Sequence, residues 1–516
     1  MPDNITLPTT SRPNELFRVL AVLISFLIVS LAVATISPTV GSDEAGYTDP
    51  AANYYFGNGF TSTLWGQDRH AFWCGNVPLY QLLLCVCFKV FGFGLFQARA
   101  VNDFLVVAAA FLIWAGVRQS EMIKTARWRL ICLFLILSGS ASTITFRTIR
   151  PDATMFFACA AVFFFSTFPR SACLRHVLGA MAAALLPVAG VPMLPYLSLW
   201  LMVWLFCFGL KAWAQFASIC IGFAGGVVLL ILFYGHFASF KAFLDIILPF
   251  TAFGGAAGNA GESFLSQKLW GEAPGTDTIF TCFFGNPLST VDPKTLCDHS
   301  AVLLFILFII LAARSRNFSD RQFRSKVLFV ILFTLVVPPV MHFAGHYRSM
   351  YRWMTYIPLT VAISWLMELE WDELAGTNLR RVAVVVVCIS LALGVPVRTL
   401  VALPGSSSRS EAPLEYTAAQ LVRPGDVVIC NRKAWFSMRA HASLVYVCNQ
   451  PARGQFSMTV DLPTNQVGLL CLMPGDYDLV VKKIGGHWIK LPDAEIPGSA
   501  ALNKTRYAAD FYRRSN

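Results

Sequence analysis

Apolar runs long enough to form buried or membrane-crossing helices recur from near the N-terminus to about residue 398, each closed by charged residues or by proline and glycine. A helix crosses about 30 Å of hydrocarbon with all its backbone hydrogen bonds satisfied internally. The pattern predicts spans near residues 16–37, 98–117, 128–146, 152–167, 174–188, 193–209, 213–233, 299–313, 327–343, 353–368 and 382–398, about eleven in all. The first has basic flanks at Arg12 and Arg18, like a signal peptide, but its length and the lack of a small-residue cleavage site favour a retained anchor. Basic residues between the runs set the sidedness. With the N-terminus in the cytoplasm, Arg118 to Arg129, Arg170 with Arg175, Lys211, Arg314 to Lys326 and Arg380 with Arg381 all fall inside, as the positive-inside bias requires. The run Val77 to Phe91 would break this alternation, so it reads as a helix lying along the membrane surface or re-entering it, started by Pro78 and ended by Gly92 and Gly94. Counted as a crossing, it makes twelve.

This alternation leaves two large outer loops, 38–97 and 235–298, and puts everything after residue 399 on the same outer face. The last stretch has ordinary polarity and alternates motifs like a small α/β unit. Glu411 to Leu421 is helix-like, Pro424-Gly425-Asp426 turns into the strand Val427 to Cys430, and Ala442 to Val447 and Val467 to Leu472 repeat the strand pattern. The expected organisation is a membrane domain over 1–399 and a water-facing domain over 400–516.

Composition agrees: 56% of the 516 residues are hydrophobic, 13% are charged, and mean hydropathy is +0.59, which excludes an ordinary soluble domain. The formal charge of +11 is spread over short clusters between apolar runs, so it reports topology and not a nucleic-acid partner. Of the 14 cysteines, Cys132, Cys159, Cys207, Cys220 and Cys388 lie in spans and read as packing residues. Cys282 and Cys297 share an outer loop, and Cys430, Cys448 and Cys471 share the terminal domain, so an oxidising compartment would allow one or two disulfides. No spacing argues for a zinc site.

Candidate chemistry gathers on the outer face. Asp43 and Glu44 follow the first span, where low-dielectric surroundings raise a carboxylate's pKa toward general-base use or two carboxylates hold a cation; the bland alternative is helix-end charge. Arg150-Pro151-Asp152 opens the fourth span on the same face, with Asp152 either a helix cap or a second acidic position. Between the ninth and tenth spans lie His342, His346, Tyr347, Arg348, Tyr351 and Arg352, a basic outer cluster suited to phosphate oxygens or to lipid headgroups. Lys268 and His236 are weaker candidates. Aromatics crowd residues 47–73, as in an interfacial belt or a sugar-stacking surface.

Asp43-Glu44-Ala45-Gly46-Tyr47, Ala51-Ala52-Asn53, Gly57-Asn58-Gly59-Phe60, Pro78-Leu79-Tyr80, Phe91-Gly92-Phe93-Gly94, Ala98-Arg99 and Arg150-Pro151-Asp152 occur in this order. Together they resemble the bacterial branch of the dolichyl-phosphate-mannose protein mannosyltransferase-like superfamily, which includes the lipid A aminoarabinose transferase. The likeness is strongest over about residues 38–155. It implies a GT-C fold, a polytopic all-α membrane protein with a small C-terminal α/β domain, in a bacterial inner membrane with that domain periplasmic. The implied activity is an inverting glycosyltransferase that moves a sugar from a polyprenyl-phosphate carrier to a lipid, glycan or protein acceptor. By resemblance Asp43 is the base or acceptor-orienting group, Glu44 its partner and Asp152 the second acidic position. Arg150, Lys268, His346, Arg348, Tyr351 and Arg352 would bind substrate and phosphate. Where relatives have paired prolines, this chain has Cys74-Gly75-Asn76-Val77-Pro78. A divalent metal ion on Asp43, Glu44 and Asp152 is therefore left open. The competing classes are a membrane glycan ligase or polymerase and a non-enzymatic transporter.

Overall fold

A computed structural model of the protein describes residues 13–64, 69–75, 77–139, 145–168, 171–209, 213–240, 293–343, 349–448 and 462–515. Each predicted span overlaps a described helix, and 140–144 of the third span lie outside the described residues. In chain order these are α1 (Pro13–Ala32), α4 (Leu95–Gln119), α5 (Ala126–Ser138), α6 (Asp152–Ser166), α7 (Ala172–Ala189), α8 (Met193–Phe208) and α9 (Trp213–Phe237). Then follow α10 (Pro293–Arg314), α11 (Arg321–Phe343), α12 (Trp353–Glu370) and α13 (Asn378–Ala392), with α14 (Val395–Ala402) continuing it. Two more helices, α2 (Ser42–Tyr55) and α3 (Pro78–Phe91), fill the first outer loop. Among the described residues 6 helices are long and apolar enough to cross a membrane by length and composition. The other predicted spans are helical too, but shorter or less apolar; α6, for one, is largely buried among its neighbours.

Two ion-pair clasps fix the ends of the bundle. Arg129 on α5 pairs with Glu15 on α1 (2.7 Å), and the Trp114 indole of α4 donates to the same carboxylate (3.3 Å). At the other end of α4, Arg99 pairs with Glu44. Arg99 and Trp114 are fifteen residues apart, or about 22 Å along a helix, so the clasps sit near opposite membrane faces. The basic linkers collect at the Glu15 end. Glu368 accepts from the backbone N–H groups of Lys124 (2.8 Å) and Thr125 (2.6 Å), Arg316 pairs with Glu373 (3.0 Å), and Arg127 and Arg380 both lie over the Trp371 ring. Gln119 reaches Thr167 and Gln215 reaches Ser166, which brings the C-terminal end of α6 and the N-terminal end of α9 to this end as well.

Helix α3 has 14 residues, about 21 Å, and falls short of the hydrocarbon thickness. One side buries Tyr80, Leu84 and Phe88, while Val86, Val90 and Phe91 are exposed, a distribution suited to a helix on the membrane surface.

The C-terminal region forms a 5-stranded sheet, built from β1 (Val427–Asn431), β2 (Leu444–Cys448), β3 (Val467–Leu472), β4 (Trp488–Lys490) and β5 (Asp510–Arg514) in the order β2-β1-β3-β5-β4. The first three strands are parallel, and β5 runs antiparallel to β3 and β4. Helices α15 (Ala412–Leu421), α16 (Trp435–Arg439) and α17 (Tyr477–Ile484) cover it. Strand alternation splits the core. Ile429, Tyr446, Leu470 and Tyr512 pack with Val480 and Ile484 of α17, whereas Val428, Val445, Leu469 and Phe511 join Ala45, Ala52, Leu84 and Ala98 of the first outer loop and α4.

The disulfides expected in this region are absent: Cys430, Cys448 and Cys471 are buried free thiols. Cys430 and Cys471 face the core shared with the outer loop and Cys448 the opposite one, so alternation separates Cys448 from the other two, and all three pack as small apolar residues. Cys282 and the Cys297 side chain lie outside the described residues.

Helices α7 and α9 touch backbone to backbone. A Cβ added to Gly222 would stand 2.0 Å from the Ala180 carbonyl oxygen, and one on Gly226 would stand 2.2 Å from that of Ala184, so only glycine permits this approach. Gly226→Leu is expected to cost about 3 kcal/mol, read as a lower thermal unfolding temperature in detergent. Gly225→Ala, whose Cβ meets nothing within 4 Å, should unfold like the wild type.

Candidate active site at one end of the bundle

Helix α2 presents the acidic pair. Gly41 caps it, Asp43 and Glu44 occupy its first turn where the helix dipole favours negative charge, and Gly57 and Gly59, both at positive φ, turn the chain after its end. The two carboxylates have different surroundings. Glu44 is fully buried and takes the Arg99 guanidinium as a fork, Nε to Oε1 at 2.9 Å and Nη2 to Oε2 at 2.8 Å. It also accepts the N–H of Gly41 (2.9 Å) and of Ile149 (3.0 Å). Arg99 in turn donates to the Ala34 carbonyl. One carboxylate thus ties together the end of α1, the start of α2, α4 and the segment leading into α6.

Asp43 is 27% exposed and pairs with Arg150. The same guanidinium donates through Nε to Asp152 (3.0 Å), which is fully buried at the first position of α6 and also accepts the Trp353 indole N–H (2.9 Å). The rings of Tyr47 and Tyr351 flank Arg150 at 5.5 and 5.6 Å. Burial works against the charge on Arg150, but Asp152, Tyr47, Tyr351 and Asp43 outweigh it and hold the guanidinium well above its usual pKa. Asn102 on α4 donates to the carbonyls of Thr148 and Arg150, fixing the backbone from which Arg150 projects. Arg352 is buried at the N-terminal end of α12, next to Tyr351.

Of the residues read from the sequence, Asp43, Glu44, Arg150, Asp152 and Tyr351 therefore meet in one network, with Arg352 beside it. Lys268, His346 and Arg348 lie outside the described residues. The network does not have the form expected of a cation site. Arg99 takes Glu44, Arg150 lies between Asp43 and Asp152, and among the described residues no three His, Cys, Asp or Glu side chains converge. Guanidinium groups supply the positive charge that a divalent ion would otherwise bring, so this arrangement does not fit a metal held by Asp43, Glu44 and Asp152. Many of the loop aromatics pack on one another. Tyr54 stacks on Phe60 (4.5 Å) and Phe72 on Phe237 of α9 (5.8 Å), which ties the loop to that helix.

Arg99, Tyr47 and Trp353 are the members that the functional reading of the sequence did not single out. A charged residue inside an apolar run, as Arg99 is, was the available signal.

A bundle of apolar helices with a charged cluster on outer-loop helices at one end, and a small sheet packed onto it, defines the GT-C fold. The chain is similar to the crystal structure of ArnT from Cupriavidus metallidurans bound to undecaprenyl phosphate, with a TM-score of 0.59 and 13% identity over 97% of this chain and 98% of that one. It is also similar to the arabinofuranosyltransferase AftD from Mycobacteria, with a TM-score of 0.50 and 12% identity over 97% of this chain and 40% of that one. At these identities the likeness is one of fold. No protein-family model matches the sequence, and no curated protein matches it.

Glu44→Gln would leave Arg99 buried without its counter-charge, a loss of about 3–5 kcal/mol. The expected outcome is a sharp fall in thermal stability in detergent. Glu44→Gln combined with Arg99→Met should recover most of it, because both charges are then gone.

Proposed function

We propose that this chain is an inverting glycosyltransferase that moves a sugar from a polyprenyl-phosphate carrier to a lipid, glycan or protein acceptor on the outer face of a bacterial inner membrane. One observation carries the reading: in a GT-C fold, Asp43 is the partly exposed carboxylate of the outer-end network, while its partners Arg150 and Asp152 are buried behind it. Such a carboxylate is available to an incoming acceptor and held in orientation from behind.

The reaction this supports is a single displacement. Asp43 accepts the proton of the acceptor hydroxyl or amine, and the nucleophile attacks the anomeric carbon on the face opposite the phosphate. The bond from that carbon to the phosphate oxygen breaks, its electron pair leaves with polyprenyl phosphate, and the configuration inverts. Arg352, buried beside Tyr351, and Arg150 would offset charge on the departing phosphate. Glu44 is the positioning group beneath, and Asp152 keeps Arg150 in place. Residues 1–399 form the catalytic membrane domain and 400–516 a periplasmic domain, with the N-terminus cytoplasmic. The collection of the basic linkers at the end opposite the site supports that orientation.

Asp43→Asn should lower transfer by a factor on the order of 10²–10⁴ in membranes supplied with lipid-linked sugars, with the protein still folded. Near-normal turnover would sink the assignment. A reporter fused after Val401 should be active only where it is periplasmic; a cytoplasmic signal there overturns the proposed orientation.

A further inference from the structure

The C-terminal region reaches toward the proposed site through one buried arginine. Arg439, at the end of α16, is 1% exposed, and its Nη2 donates to Asn53 Oδ1 (3.0 Å) while its Nη1 donates to the Ala442 carbonyl (3.0 Å). Its guanidinium lies 4.2 Å from the centre of the Phe56 ring and in the field of Asp49. Asp49, Asn53 and Phe56 belong to the far half of α2 and its C-terminal cap. Thr63, in the loop after α2, donates its backbone N–H to Asp49 (2.8 Å) and its hydroxyl to the Val445 carbonyl of β2 (2.6 Å), so the C-terminal region grips the same place twice.

That half of α2 needs an anchor of its own. Pro50 sits inside the helix, has no N–H to give the Gly46 carbonyl, and so weakens the coupling between the two halves. The Glu44 clasp holds only the first turn. Burial pushes the Asp49 carboxyl up to about 6, against hydrogen bonds from Ser62 and Thr63 and the charge of Arg439; burial likewise lowers Arg439 to about 10, against the charge of Asp49. Each of the two depends on the other.

We propose that Arg439 is a positioning residue for the outer-end site: through it the C-terminal region fixes the far half of α2, and with α2 the carboxylate of Asp43. The inference rests on the transferase reading for its effect on turnover, but not for its effect on α2. It gives the C-terminal region a part in transfer that a merely appended domain would lack.

The test uses the full-length protein in detergent or membranes, as Arg439→Met, Arg439→Lys and the double variant Asp49→Asn with Arg439→Met. Three readouts are followed: transfer, binding of undecaprenyl phosphate, and amide hydrogen exchange over residues 42–55. Arg439→Met should lower kcat by about 10²-fold, the scale of a small misplacement of a reacting group, while undecaprenyl phosphate binding changes less than about twofold. Exchange in the second half of α2 should quicken, with α1 and α4 unchanged. The double variant leaves neither charge unpaired but still lacks the bond to Asn53, so it should regain thermal stability while turnover and exchange over 42–55 stay close to those of Arg439→Met; Arg439→Lys, which keeps the charge without the fork, should fall between and stays informative if Arg439→Met does not fold. Unchanged exchange over 42–55, or a double variant whose turnover and protection return to wild type, overturns the proposal. A wild type that shows no transfer while Arg439→Met still loosens α2 removes the transferase reading and leaves the grip on α2 standing.

Discussion

The buried pair of Glu44 and Arg99 is the constraint around which the outer end is arranged. A guanidinium and a carboxylate taken out of water lose several kcal/mol of solvation each, and they recover it only when geometry is good and every remaining donor and acceptor is used. Here the fork is complete, the spare carboxylate capacity goes to two backbone N–H groups, and the spare guanidinium N–H goes to a backbone carbonyl. The pair and its backbone partners together come from four separate stretches of chain: the end of α1, the start of α2, α4 and the segment before α6. The pair therefore holds its place only when all four are correctly assembled, which makes it a device for register as much as for stability. Asp43 and Arg150 each lie one residue from a group bonded to Glu44 or from Glu44 itself, so their meeting follows from this register.

The same logic at the opposite face, with Glu15, Arg129 and Trp114, explains how apolar helices acquire a defined register. Lipid tails give such helices little preference for one another, so polar clasps at the ends and close backbone contacts such as that of α7 with α9 must supply it. With both ends of α4 fixed, Arg99 and Asn102 stand at a set depth. The proposed site inherits its position from them.

The apolar runs made the helices of the bundle legible because burial or lipid exposure demands length and hydrophobicity that few other structures share. Helix α2 was not legible. Its sequence is polar, carries Pro50, and has no apolar stripe of helical period, because it is held by buried polar partners at both ends and not by one greasy face. Strands β4 and β5 were missed for a related reason: Trp488–Lys490 and Asp510–Arg514 are short and charged, and their place on the antiparallel side of the sheet comes from pairing rather than alternation. In the site, Asp43, Arg150 and Asp152 were found by their motifs, but the partners were not. Glu44 and Arg99 are 55 positions apart and Asp43 and Arg150 are 107 apart, so local spacing contains no trace that arginines, and not a cation, answer the carboxylates.

Packing also crosses the boundary that composition suggests near residue 399. The change in polarity there is real, since the strands that follow are those of a water-facing sheet. Yet one face of that sheet shares a single hydrophobic core with α2, α3 and the start of α4, and Phe93 stacks on Phe436 and meets Trp435 edge-on. A surface that apolar would be exposed on either piece alone, at a cost of roughly 25 cal/mol for each Å² left in water. Neither the first outer loop nor the sheet has an apolar face free to serve as an independent boundary. The unit that folds at the outer end therefore joins residues from both sides of the compositional break, and the catalytic loop proposed here lies in its middle.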